Sequence, residues 1–336
     1  MFQNLKVIVL LQTQIGRRNS YILVFKIIIV CISLWVIYRQ VIVKDNFKTT
    51  MTEYRMLLEE RHTWMIITIL TAMMLFNWLL EAIKWQVLME KIQKVKLALS
   101  IRAIFSGITV SFFTPNRVGE FAGRIVHIDK EGRIKAAIAT VVGSMNQLLV
   151  TVIAGVLALL VNLKDSFSEM HFAYYTICGL SIVALAAIVV LYFNVAHFYD
   201  FFHRFKIFRK IDEYARVFTF YHSGELRKIT FLSMARYFVF TSQFVLLLSL
   251  LKVDIEIMTA YRLIFLIFLV MAIVPTFALA ELSVRGSIAL YFIQPFSSNS
   301  TGIVAATFSL WFINLVIPAV VGAFTLFYVR LKKPKG

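Results

Sequence analysis

The sequence predicts an all-α, polytopic helical membrane protein, and three observations carry that reading. Apolar residues make up 60% of the 336-residue chain and charged residues only 16%; a soluble domain runs near half apolar and a quarter charged. Apolar stretches of about 20 residues, the length needed to cross a bilayer, recur along the chain. The basic residues gather between them with the asymmetry expected of cytoplasmic loops. This balance argues against a soluble enzyme and against a disordered chain. Phe alone contributes 31 residues, an excess suited to a lipid-facing surface.

Residues 1–20 hold a short apolar run from Leu5 to Leu11, then Arg17 and Arg18, with no clear cleavage site. They read as a cytoplasmic tail rather than a signal peptide. Full spans are expected at 21–43, 64–85, 136–162, 172–193, 229–251 and 302–329. Two further apolar stretches are interrupted: 103–133 by Thr114-Pro115-Asn116-Arg117, and 263–295 by Pro275. Each is too short for two full crossings plus a turn. Each suits a re-entrant hairpin of two half-helices, a form tolerated where backbone is buried in protein or lines a wet cavity.

The charge count supports this arrangement. With the N-terminus inside, the inner segments hold 23 Lys and Arg and the outer loops 7. The bias follows the positive-inside rule only if both hairpins return to the side they entered from. Both termini are then cytoplasmic. Residues 64–162 and 229–329 each read span, hairpin, span, in opposite orientation. This gives one integral membrane domain (1–336) built as an inverted repeat, with 163–228 as the connection. Secondary transporters of this design place their site between the repeats. Within the connection, Phe201, Phe205, Phe208, Ile211, Ala215 and Phe218 recur at helical spacing opposite a basic face. That helix either lies on the inner leaflet or packs on the protein.

The net charge of +17 is dispersed between apolar runs, so nucleic acid is not the expected partner. No phosphate-binding glycine loop, dinucleotide fingerprint, HExxH or CxxC pair is present. No Ser/His/Asp or Cys/His arrangement points to nucleophilic catalysis, and neither an enzymatic activity nor a cofactor is expected. Cys31 and Cys178 lie inside apolar runs and do not form a disulfide framework. His127 has no second ligand at metal spacing. Trp35, Trp64 and Trp85 fit an interfacial aromatic belt. Ala139 and Gly143 mark close helix packing, Asn146 and Gln147 interhelical hydrogen bonds, and Pro318 a kink in the last span.

Three acids fall inside apolar runs: Glu81, Glu120 and Glu281. Such residues normally face a protein interior or a cavity. Glu81 sits near the inner end of its span beside Lys84 and reads as snorkelling. Glu120 follows Pro115 and precedes Arg124 by four residues; Glu281 follows Pro275 and precedes Arg285 by four. Residues at i and i+4 share a helix face. Each hairpin thus offers a break, then a half-helix opening with a Glu–Arg couple, and Arg117 adds a cation at the first break. Arg117, Arg124 and Arg285 would hold a phosphate headgroup by bidentate hydrogen bonds. Glu120 and Glu281 would orient them, take up protons or meet a cationic group. The other reading is that each couple neutralises itself and caps its half-helix.

The run Phe113-Thr114-Pro115-Asn116-Arg117-Val118-Gly119-Glu120-Phe121-Ala122-Gly123-Arg124 resembles the first signature of the lysylphosphatidylglycerol synthase transmembrane-region family. Residues Val274 to Gly286 are similar to its second, with Ala280 and Ser283 where the family carries glycines and the Glu before the Arg. The resemblance runs from about the second span to the end of the chain. It implies an inner-membrane protein that moves an anionic phospholipid or a polyprenyl-phosphate-linked lipid between leaflets. It also implies a glycosyltransferase or a lipid-synthesis enzyme as a partner. The chain leaves no room after its last span for the family's aminoacyltransferase domain, so lipid synthesis is not expected. Two alternatives remain at this stage: a lipid-modifying transferase with Glu120 or Glu281 as base, and a non-catalytic partner of a glycosyltransferase.

Overall fold

The computed structural model describes residues 59–114, 117–166, 171–194, 220–274 and 278–332, with Trp35, Tyr38, Arg39 and Thr52. Apart from Trp35, Tyr38 and Arg39, the expected span 21–43 lies outside the described residues. So do Pro115, Pro275 and most of the helix expected at 201–222. The described residues are helical, in the order α1 (Arg61–Met89), α2 (Leu97–Phe112), α3 (Gly119–Ile125), α4 (Arg133–Ser166), α5 (His171–Phe193), α6 (Ser223–Leu250), α7 (Ile257–Ile273), α8 (Ala278–Ile293), α9 (Ser300–Trp311) and α10 (Ile317–Lys332).

Among the described residues five helices are long and apolar enough to cross a membrane: α1, α4, α5, α6, and α9 with α10 as one rod. They match five of the six expected spans, with ends a few residues further out. At 1.5 Å per residue, α2, α7 and α8 reach roughly 24–26 Å and α3 roughly 10 Å, short of the ~30 Å hydrocarbon core. The two interrupted stretches are therefore pairs of short helices, as the re-entrant reading requires. A π-turn at Phe312–Val316 joins α9 to α10 immediately before Pro318. Proline lacks an N–H and its ring crowds the preceding turn, which accounts for the irregularity at this point.

Long, short, short, long occurs twice, in α1–α4 and again in α6–α10. The final helix of each set packs on the first short helix of the other set. Glycine marks both crossings. A Cβ on Gly322 of α10 would lie 2.0 Å from the Phe105 carbonyl oxygen of α2. One on Gly155 of α4 would lie 2.5 Å from Leu269 Cβ of α7. No side chain fits at either position. Thr109 Oγ1 donates to the Ala319 carbonyl at 2.7 Å, and Ser106 Oγ meets Thr325 Oγ1 at 2.9 Å, closing the α2–α10 contact. The expected Gly143 contact also exists: its Cβ would come within 2.9 Å of Leu88.

Two apolar cores form. One gathers Trp85, Leu88, Ile104, Ile108 and Ile229 around α2, the other Phe244, Leu248, Ile264, Ile267 and Leu290 around α7 and α8. Trp85 is fully buried and donates to Thr140 Oγ1 at 3.1 Å, so it belongs to the core and not to an aromatic belt. Trp64 is exposed, as a belt residue would be. Helix α5 has no buried residue and presents Phe172, Tyr175, Leu180 and Val183 outward. Such a surface suits lipid.

A polar layer separates the cores at mid-helix. Asn146 donates to Tyr192 Oη at 2.9 Å and to Thr230 Oγ1 at 2.8 Å, tying α4 to α5 and α6. Gln243 donates to the Leu70 carbonyl at 2.9 Å and accepts from Asn314 at 2.7 Å. Lipid offers no apolar contrast to drive helices together, so packing and such hydrogen bonds specify the bundle.

Candidate functional site

The site is built on the two hairpin breaks and the polar layer they abut. Before α3, Thr114 Oγ1 accepts the Gly119 N–H at 2.8 Å, holding the turn. Gly123 lets α3 lie on α2: its Cβ would meet the Ser106 carbonyl oxygen at 2.4 Å. Arg117 occupies the left-handed region at φ 56°, a conformation costing roughly 1–2 kcal/mol for a non-glycine residue. Its guanidinium crosses to the second hairpin and donates to Glu281 Oε2 at 2.7 Å. Glu281 also accepts from Arg285 one helical turn on, and the Arg285 guanidinium lies 5.8 Å over the Phe268 ring.

The couple on the first hairpin forms as well, Arg124 donating to Glu120. Its further partner was not foreseen. Glu81 is 4% exposed and does not snorkel. It accepts from Arg124 at 2.9 Å, from Arg236 at 2.9 Å and from Lys84 at 2.7 Å. Lys84 and Arg124 are thus structural cations of the interior, not loop charges, and removing both leaves a basic bias of 21 to 7. Arg236 also reaches Gln147 Oε1 at 3.4 Å and stacks 5.0 Å over Trp78.

A cavity of about 600 Å³ opens beside these groups. The breaks contribute Arg117, Glu281 and Arg285; α1 contributes Asn77 and Trp78; α6 contributes Arg236 and Tyr237; the π-turn contributes Asn314. Of the five residues picked out by sequence, Arg117, Glu281 and Arg285 face this cavity together. Glu120 and Arg124 stand behind it, joined to it through Glu81 and Arg236. Around the two ion networks five cations, Lys84, Arg117, Arg124, Arg236 and Arg285, face three carboxylates, Glu81, Glu120 and Glu281. Among the described residues the excess is positive.

Sequence reasoning passed over Arg236, Asn77, Tyr237 and Asn314. Arg236 carried a usable signal, being one of five basic residues inside apolar runs. His127 bonds Ser106 Oγ at 2.8 Å. It is a packing residue of the hairpin. Among the described residues no group of three or more His, Cys, Asp or Glu is placed to hold a metal ion.

A family profile described as the lysylphosphatidylglycerol synthase TM region matches residues 23–332, nearly the whole chain. No curated protein and no solved structure matched in the corresponding comparisons.

Proposed function

Because this chain belongs to the lysylphosphatidylglycerol synthase transmembrane-region family, we propose that it is a lipid translocase of the cytoplasmic membrane and not a lipid-modifying enzyme. An anionic headgroup enters the cavity between the hairpins while its acyl chains stay in the bilayer. The observation that carries this reading is the cavity itself: a polar chamber of about 600 Å³ inside an apolar bundle, with cations in excess. A charged group in a membrane interior is costly and marks a substrate path by default. The repeated helix order with exchanged packing supports alternating access by rocking one set against the other.

The reading places both termini in the cytoplasm, supported by the corrected basic bias. In a variant lacking Cys31 and Cys178, a cysteine at exposed Ser298 is expected to react with an impermeant maleimide from outside. Reaction only from inside would break the inverted arrangement. Transport is tested with fluorescent anionic lipids in proteoliposomes. Protein-containing vesicles are expected to bring inner-leaflet probe within reach of an impermeant quencher faster than empty ones; equal rates for every anionic lipid tried would reject the translocase.

A further inference from the structure

An unbroken line of ionised side chains runs from the cavity wall to a carboxylate that does not line the cavity. Arg236 stands in the wall, and its Nη1 donates to Glu81 Oε2 at 2.9 Å. Glu81 Oε1 accepts from Arg124 Nη2 at 2.9 Å. The same nitrogen, Arg124 Nη2, also donates to Glu120 Oε1. Neighbouring contacts therefore share a carboxylate or a single atom, and strengthening one weakens the next.

The three acids of the interior differ in what neutralising them would cost. Glu81 holds three cations and Glu281 two, and protonating either leaves desolvated cations short of counter-charge. Glu120 holds Arg124, which keeps Glu81 when Glu120 becomes neutral. The Glu120 side chain is 25% exposed, against 5% for Glu81 and 7% for Glu281. The charges facing it are Arg124 on its own helix, Arg117 at the break before it, and Glu81 with Lys84 of α1 behind Arg124. Helix α2 meets it with Gly107, whose Cβ would lie 3.3 Å from Glu120 Cγ. Arg102 of α2 and His127 meet past the end of α3, where Arg133 of α4 donates to the Ile128 carbonyl.

Resting on the reading of the cavity as an anion site, we infer that Glu120 is a proton-binding site linked to the cavity through Arg124, Glu81 and Arg236, so that anion and proton load together. An anion in the cavity draws Arg236 off Glu81. Glu81 then engages Arg124 more fully, Arg124 loosens from Glu120, and the exposed carboxylate takes a proton from water onto one oxygen. No covalent bond breaks. Five cations against three acids become five against two, and a singly charged anion restores the original sum. The loaded set then carries no more charge through the membrane interior than the empty one, where unbalanced charge is costly. Linkage is reciprocal: anion binding drives proton uptake, and lower pH tightens anion binding.

The test is calorimetric binding of dioctanoylphosphatidylglycerol to the detergent-solubilised full chain. Buffers of different ionisation enthalpy count the protons taken up per lipid. The probe's phosphodiester stays ionised under these conditions, so uptake belongs to the protein. Wild type is expected to take up a measurable fraction of a proton per lipid, and to bind about three- to tenfold more tightly at about pH 5 than at about pH 7. Glu120→Gln imitates the protonated acid while Arg124 keeps Glu81; uptake is expected to vanish and the affinity to lose its pH dependence. Glu120→Asp retains an ionisable group and is expected to take up the proton with a shifted midpoint. Wild-type binding without uptake overturns the inference. So does uptake that persists in Glu120→Gln, or whose midpoint is unmoved in Glu120→Asp. Uptake without leaflet exchange upholds the proton site and rejects translocation; leaflet exchange by a protein that binds without uptake upholds translocation and rejects the proton site.

Discussion

Glu81→Gln is expected to be the most destabilising single substitution in the bundle. The carboxylate accepts from three cations, and Lys84 and Arg124 are almost wholly buried. Glutamine keeps the shape but removes the negative charge, and its amide nitrogen points one donor at other donors. Removing one partner of a buried ion pair costs about 3–5 kcal/mol, because the remaining charge stays desolvated. Three cations share this one acid, although Arg124 retains Glu120. Thermal unfolding in detergent, followed by loss of the monodisperse peak, should show a large drop in midpoint. Restoring charge balance with Lys84→Met in the same chain should recover much of it. A wild-type midpoint for Glu81→Gln would mean that the network holds water or ions in place of the pairs described.

Arg285→Ala should leave the fold nearly intact and remove transport. Glu281 keeps Arg117 at 2.7 Å, so the carboxylate is still paired. The lost guanidinium faces the cavity, where its Nε has no protein partner. Truncating one side of a buried, charge-assisted contact costs about 2–5 kcal/mol, which corresponds to a loss in leaflet exchange of roughly 30-fold to several thousandfold. Arg285→Lys keeps the charge but not the planar fork, and an intermediate loss is expected. Arg236→Ala should impair both exchange and stability, since that residue also serves Glu81. Well-folded Arg117→Ala and Arg285→Ala proteins exchanging lipid at the wild-type rate would make these arginines purely structural.

The helices were legible in the sequence because membrane spans write themselves in length and hydropathy, and a difference of up to six residues at their ends changes nothing. The hairpins were legible for a related reason: apolar stretches of the wrong length, each broken by a proline. The Glu120–Arg124 and Glu281–Arg285 pairs followed from i, i+4 spacing. Long-range partners did not follow. Nothing local to Glu81 says that Arg236 lies against it, so the pattern of an acid beside Lys84 near a span end read as snorkelling. Trp85 failed in the same way, since an indole near an expected boundary looks alike whether it meets headgroups or Thr140. Asn314 and Tyr237 became visible only when the helices were placed around a common space.

The exchange of helices between the two sets has a consequence for biogenesis. Glu81 and Arg236 are separated by 155 residues, and a chain emerges from the ribosome N-terminal end first. The first half therefore enters the bilayer with its acid held by Lys84 and Arg124 alone. The face of α2 that receives Gly322 stays uncovered until α10 is made. Neither set can mature as an autonomous unit. Helix α10 seals the first hairpin as it arrives, and a nascent chain stalled before that helix would present the membrane's quality-control proteases with an unfinished polar interior.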